Sequence, residues 1–265
     1  VDHSEPFSAL AFRFFFVSVG FLIFSIYKNF SLVISKSNLI QSLVSGVLFH
    51  GIYLGGVFYS VSVGMPTGIA ALIVTLQPIL TNILAGPILK EHVSYHQWIG
   101  ILLGFLGAVL VLGFDIGKKI PFDGVIATII SLVSITSATI WQKKISNNLP
   151  LETSNTYQAI GGCLFHILII VFVTKFQINF SFTFIAAMSH QVLLVSFGAF
   201  TILMFLIREN SASKTTSFFF LIPSVSALMA WLFLNENLYF IDIIGFLIAS
   251  IGVYIATRPE KKFYG

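Results

Sequence analysis

The sequence predicts an all-α fold, a polytopic bundle of transmembrane helices, on three observations. Mean hydropathy is +0.96, with 57% hydrophobic and only 9% charged residues, where a soluble domain carries about a quarter charged. The apolar runs are roughly 20 residues long, enough to cross a hydrocarbon core of about 30 Å as helices, and they lack the alternation of barrel strands. The stretch Gly68–Leu112 also occurs twice. Shifted by 145 positions it meets Ser213–Thr257 without a gap, pairing Pro78 with Pro223, Glu91 with Glu236, Gly100 with Gly245 and Gly107 with Gly252. Nine of its 45 positions are identical. Coincident Pro, Glu and Gly in so apolar a chain point to duplication.

Nine spans follow in order: about 7–27, 41–62, 67–86, 96–113, 122–142, 154–173, 190–207, 214–234 and 240–257. With the C-terminus in the cytoplasm, that side collects ten basic residues: Lys28, Lys36, Lys90, Lys143, Lys144, Arg208, Lys214, Arg258, Lys261 and Lys262. The other side receives Lys118, Lys119 and Lys175, and Arg13 stays inside the first span. This is the positive-inside asymmetry. Trp98, Trp141 and Trp231 fall near span ends, as interfacial anchors do. The basic residues are scattered over short connections, which argues against nucleic acid as a partner. One cysteine, Cys163, excludes a disulfide framework and a CxxC metal site.

The 145-residue offset reaches further upstream, mapping the first span onto the sixth and the second onto the seventh. The fifth span maps to positions before Val1, so the expectation is a ten-helix protein in two halves of five, with its first helix missing from this sequence. The halves are residues 1–119, with four spans, and 120–265, with five. Five is odd, so the halves insert with opposite orientation. Such inverted repeats underlie alternating access in many secondary transporters.

The pattern of a mid-span Pro, a short turn bearing Glu and a Gly-rich span recurs here as QPILTNILAGPILKEHVSYHQWIGILLGFLGAVLVL and IPSVSALMAWLFLNENLYFIDIIGFLIASIGVYIAT. It resembles the EamA domain of the drug/metabolite transporter superfamily. The Arg of ALAFRFFF is similar to one that the family carries in its second helix. The likeness spans essentially the whole chain. It implies a secondary transporter, not an enzyme, in a bacterial plasma membrane with a cytoplasmic C-terminus. A small metabolite, an amino acid or a similar polar or amphipathic solute, is the implied cargo, and export the implied direction. No cofactor and no metal are expected, and a homodimer is left open.

The residues themselves offer candidates. Pro78 and Pro223 interrupt the hydrogen-bond ladder of equivalent helices, either as hinges that open backbone toward a cavity or as static kinks. Gln77, beside Pro78, is a candidate substrate contact that its counterpart Ile222 does not repeat. Glu91 and Glu236 lie in turns on opposite sides of the membrane, where each can cap the helix that follows it. Gly100 and Gly245, with Gly104, Gly107, Ala249 and Gly252, make small-residue faces for tight packing. Arg13 lies about 10 Å below the external end of its span, able either to meet an anionic solute or to snorkel outward. His50, Tyr53 and Ser60 share one face of the second span, with Gly51 and Gly55 on another, suggesting a cavity face and a packing face. Gln158 and His166 lie on one side of the sixth span, and Ser131, Ser134 and Trp141 form a weaker stripe in the fifth.

All ten acidic residues fall in connections or at span ends, which disfavours proton coupling through a midplane carboxylate. An integral membrane enzyme would need acid pairs, HExxH-like ligands or a basic diphosphate site, and none is visible. A P-loop is equally lacking, which removes primary active transport by this chain alone. A receptor that does not transport is the remaining alternative.

Overall fold

The computed structural model describes residues 4–113, 120–147, 149–234 and 237–258. Nine of the described helices are long and apolar enough to cross a membrane. They are α1 (Pro6–Tyr27), α2 (Lys36–Ser62), α3 (Thr67–Leu89), α4 (Tyr95–Leu112), α5 (Phe122–Ile145), α6 (Leu151–Phe172), α7 (Phe182–Glu209), α8 (Ala212–Phe233) and α9 (Phe240–Thr257). Two of them start earlier than hydropathy indicates. Ser35 accepts from Asn38 N and Ser181 from Phe184 N, so serine caps draw the polar or interfacial turns before 41 and 190 into α2 and α7.

Four of the helices are not uniformly α. The α3 ladder breaks at a turn over 75–76, and Gln77–Leu89 resumes with Pro78 in its first turn. In α8 a 3-10 segment, Phe218–Leu221, precedes Ile222–Leu234, with Pro223 again in the first turn. Both breaks have the same cause. A proline has no N–H for the carbonyl four residues back, and its ring clashes with that carbonyl, so the helix yields one turn upstream. In α2 and α7 the irregularity is a π segment, Val47–Tyr53 and Gln191–Ala199. The 145-residue offset carries 47–53 onto 192–198, so both copies are irregular at the same place.

The chain divides into two compact units, Val1–Met65 with Lys119–Glu209, and Pro66–Lys118 with Asn210–Gly265. Each unit takes helices from both halves of the sequence. The first contains α1, α2, α5, α6 and α7; the second contains α3, α4, α8 and α9.

In the first unit, Leu10, Phe14, Val17 and Phe21 of α1 pack with Ala159 and Cys163 of α6. Ser25 meets Thr156 at one end, and Ala11 O receives the Cys163 thiol further along, so the two helices run antiparallel. In the second unit α4 and α9 meet through glycine. A Cβ on Gly100 would stand 2.6 Å from Gly252 O, and one on Gly252 2.7 Å from Gly100 O. A Cβ on Gly107 would stand 2.6 Å from Gly245 O, and one on Gly245 2.8 Å from Gly107 O. The pairing of 100 with 252 and 107 with 245 is again antiparallel. It is also self-complementary, because the offset exchanges one pair for the other. Real Cβ atoms do not come this close to backbone, so only glycine permits the contact.

Candidate functional site

In the first unit, polar side chains converge inside the helix packing. Arg13 of α1 is 95% buried, with a relative exposure of 5%. Its Nε–H donates to Ser196 Oγ at 3.0 Å, and Ser196 Oγ–H donates on to Gln191 O at 3.1 Å. That second bond spans the π segment of α7, whose wider turn leaves the Gln191 carbonyl available five residues back. The guanidinium carbon also stands 5.2 Å from the Phe14 ring centroid, within cation–π range. Tyr53 of α2 is half-buried.

Below Arg13 the site becomes aromatic. The His50 ring lies 4.5 Å from Phe14 and 4.4 Å from Phe200, centroid to centroid, and the His166 ring stacks on Phe14 at 6.0 Å. His166 Nε2 is 2.9 Å from His50 O. A carbonyl only accepts, so Nε2 carries the proton in this arrangement. The His50 carbonyl belongs to the π segment of α2, and the neighbouring Leu48 carbonyl takes the Ser134 hydroxyl at 2.9 Å. Carbonyls in the irregular stretch are thus satisfied by side chains of α5 and α6.

A second polar group lies further along α2. Ser45 Oγ is 3.0 Å from Gln142 Oε1 and 3.2 Å from Gln158 Oε1. Gln158 Nε2 donates to Gln142 Oε1 at 3.2 Å and to Ser154 Oγ at 2.9 Å. Gly46 makes this possible, since a Cβ there would overlap the Gln158 backbone. Trp141 Nε1 donates to Gln41 O at 3.2 Å, fastening α5 to the start of α2.

The first unit therefore holds Arg13, His50, Tyr53, His166, Gln158 and Trp141 on four helices, in two polar groups. The separation of α2 into a polar face and a glycine face is not what the structure has. His50 packs against Gly162, and Gly51 against Phe165, so both face α6. The π segment turns more slowly than an α-helix, which rotates residues that ordinary spacing would separate. Ser60 is fully buried too, donating to Val57 O at 2.8 Å. The stripe on α5 faces α2, through Ser134, Trp141 and a Ser131 hydroxyl that fills the space beside Gly56.

Gln77 lies in the second unit, fully buried beside Pro78. A hydrogen-bonded chain runs next to it. Asn82 Nδ2 donates to Pro78 O at 2.7 Å, the Ser213 hydroxyl donates to Asn82 Oδ1, and Gln97 Nε2 donates to Ser213 Oγ at 2.9 Å. Glu91 caps a helix, but not the one that follows it. Its carboxylate accepts Ala212 N at 2.8 Å and Ser213 N at 3.3 Å, at the start of α8, while Ser94 caps α4 through Gln97 N. The turn after α3 folds across to α8, and Ser94 stands closer to the first orphan amides of α4. Glu236 lies outside the described residues.

Ser196, Gln142, Asn82 and Ser213 were not singled out by sequence. Gln142 and Asn82 carry the signal that marked Gln158 and Gln77, an amide within an apolar run. Ser196 carries none by itself, because serine is common on packed membrane helices.

The EamA-like transporter family profile matches residues 1–113 and again 123–258. The chain is 27% identical to an uncharacterized transporter, YyaM, of Bacillus subtilis (strain 168), over 97% of this chain and 86% of that one. It is 22% identical to a probable amino-acid metabolite efflux pump of Salmonella typhimurium (strain LT2), over 75% of this chain and 70% of that one. A crystal structure superposes with a TM-score of 0.78 at 16% identity, covering 95% of this chain and 88% of the other, which extends the likeness to the fold. With the duplicated sequence, the nine apolar helices and two profile matches that together cover most of its length, this chain belongs to the EamA-like transporter family.

Proposed function

We propose that the chain is a secondary transporter that exports a small polar metabolite, an amino acid or a similar solute, by alternating access. The observation that carries the mechanism is the antiparallel packing of duplicated helices, α1 with α6 and α4 with α9. One sequence inserted in two opposite senses has two conformations of comparable energy, related by exchanging the roles of the copies. A carrier needs that near-degeneracy to present its site to either side. The choice of an amino-acid-like solute draws on the relative named as a probable amino-acid metabolite efflux pump.

The binding residues in this reading are Arg13, Tyr53, His50, His166 and Gln158, all in the first unit; Gln77, in the second unit, is a separate candidate. The two sequence halves, 1–119 and 120–265, act as the exchanging units of the transport cycle. In this reading the membrane is a bacterial plasma membrane and the C-terminus is cytoplasmic, which the asymmetry of the basic residues supports. Counterflow in proteoliposomes tests the reading: protein-dependent exchange of labelled solute against an excess of unlabelled solute is expected. A panel of amino acids, organic acids, sugars and polyamines that yields no exchange overturns it.

A further inference from the structure

We propose that the Nη edge of Arg13 is the docking point for a carboxylate of the transported solute, so that the cargo is a carboxylate-bearing molecule. This rests on the transport reading above and narrows it. Arg13 is 95% buried, yet among the described residues its one hydrogen bond is Nε–H to Ser196 Oγ. A guanidinium has five N–H donors; one Nη–H runs parallel to Nε–H, and the end-on pair, one from each Nη, faces away from the Ser196 bond as a planar fork. The described acidic residues, Glu5, Glu91, Asp123, Glu152, Glu209 and Asp242, all sit at helix ends or in connections. A buried cation without a counter-ion is costly, and a membrane interior keeps one where a ligand or a pathway uses it.

The surroundings select the kind of anion. Within the described helices Arg13 is the one Lys or Arg that lies away from a helix end. A single fork with one positive charge matches the two oxygens of a carboxylate, bidentate and charge for charge. A phosphate dianion would retain excess negative charge in an apolar site. Ser196 is a positioning residue: its hydroxyl accepts the Nε–H while donating to Gln191 O. The fork is thereby held to the π segment of α7, and Phe14 lies under the guanidinium. Occupation of the fork is therefore felt by a helix that is irregular in both copies.

The experiment is counterflow by the full chain in proteoliposomes, with the proteinogenic L-amino acids, simple monocarboxylates, sugars and polyamines as probes. Any solute exchanged is then competed with its own carboxamide and its decarboxylated amine. The expected result is competition weaker by roughly 100-fold or more for both, because a site built around a buried charge rejects analogues that cannot pair with it. Arg13→Gln raises the half-saturation concentration by a similar factor, and Arg13→Lys recovers part of the loss. Ser196→Ala raises it about 3- to 10-fold with the maximal rate retained, as loss of one orienting hydrogen bond does. Equal competition by amide and acid overturns the proposal, as does wild-type half-saturation in Arg13→Gln. If Arg13→Gln does not fold, the competition on the wild-type protein decides alone. Exchange of sugars or polyamines but of no carboxylate overturns this proposal and leaves transport standing, whereas no exchange of any probe removes both.

Discussion

Gln158 occupies the position in the second copy that Arg13 occupies in the first, and the exchange of a charge for an amide changes what each needs. Gln158 is fully satisfied by Ser45, Gln142 and Ser154; Arg13 uses one donor. Replacing Gln158 by Ala removes the amide donor of Ser154 Oγ and one of the two donors to Gln142 Oε1, leaving Ser45 on Gln142 alone, at about 1–3 kcal/mol. Thermal unfolding of the detergent-solubilised protein is expected to show that loss as a lower midpoint. Glu91→Ala removes two backbone acceptor bonds at the start of α8 and costs about 0.5–2 kcal/mol by the same measurement. Much at this scale was legible from sequence, since Arg13, Gln158 and His166 are conspicuous in apolar runs. What sequence could not supply was their partners. Ser196 is one serine among many until α7 is placed beside α1, and Glu91 reaches α8 rather than α4 because the chain folds back, a fact no local spacing encodes.

At the scale of the helix, Pro78 and Pro223 mark where α3 and α8 break, and the reason was readable in advance: a missing N–H frees a carbonyl one turn upstream. The π segments were not readable. A π turn survives where neighbours take up its displaced carbonyls, here His166 on His50 O and Ser134 on Leu48 O, and those neighbours come from other helices. Pro78→Ala separates kink from hinge. With an N–H restored, the ladder through 75–76 can close and gain a hydrogen bond, about 0.5–1.5 kcal/mol. The expected outcome is an unchanged or higher unfolding midpoint together with slower counterflow. Unchanged counterflow would leave the proline a static kink.

For the whole molecule, the nine spans, the duplication and the family all followed from the sequence, because hydropathy and coincident Pro, Glu and Gly survive without coordinates. The grouping of helices into compact units did not. The first unit draws α1 and α2 from one half and α5, α6 and α7 from the other, and only contact between distant segments defines such a grouping. Orientation is open to direct measurement. On a Cys163→Ala background, cysteines replacing Lys144 and Lys175 are expected to react with a membrane-impermeant maleimide from opposite sides, Lys175→Cys from outside in intact cells. Labelling of both from one side would refute the topology. Gly100→Leu forces a side chain into the backbone of α9, and overpacking at such a contact costs about 1–3 kcal/mol or more; failure to accumulate in the membrane is the expected readout.

The glycine contact between α4 and α9 has a consequence for descent. Gly100 meets Gly252 while Gly107 meets Gly245, and duplication relates Gly100 to Gly245 and Gly107 to Gly252. A single ancestral half therefore already encoded both faces of the joint, and two separate copies of it, lying antiparallel, could form the same contact before any fusion. Fusing two such genes would tether a contact that the separate copies could already form. Since then each glycine has been answerable to a partner that no longer shares its codon, so enlarging one position now injures a single side, where in the ancestor the same change would have struck twice.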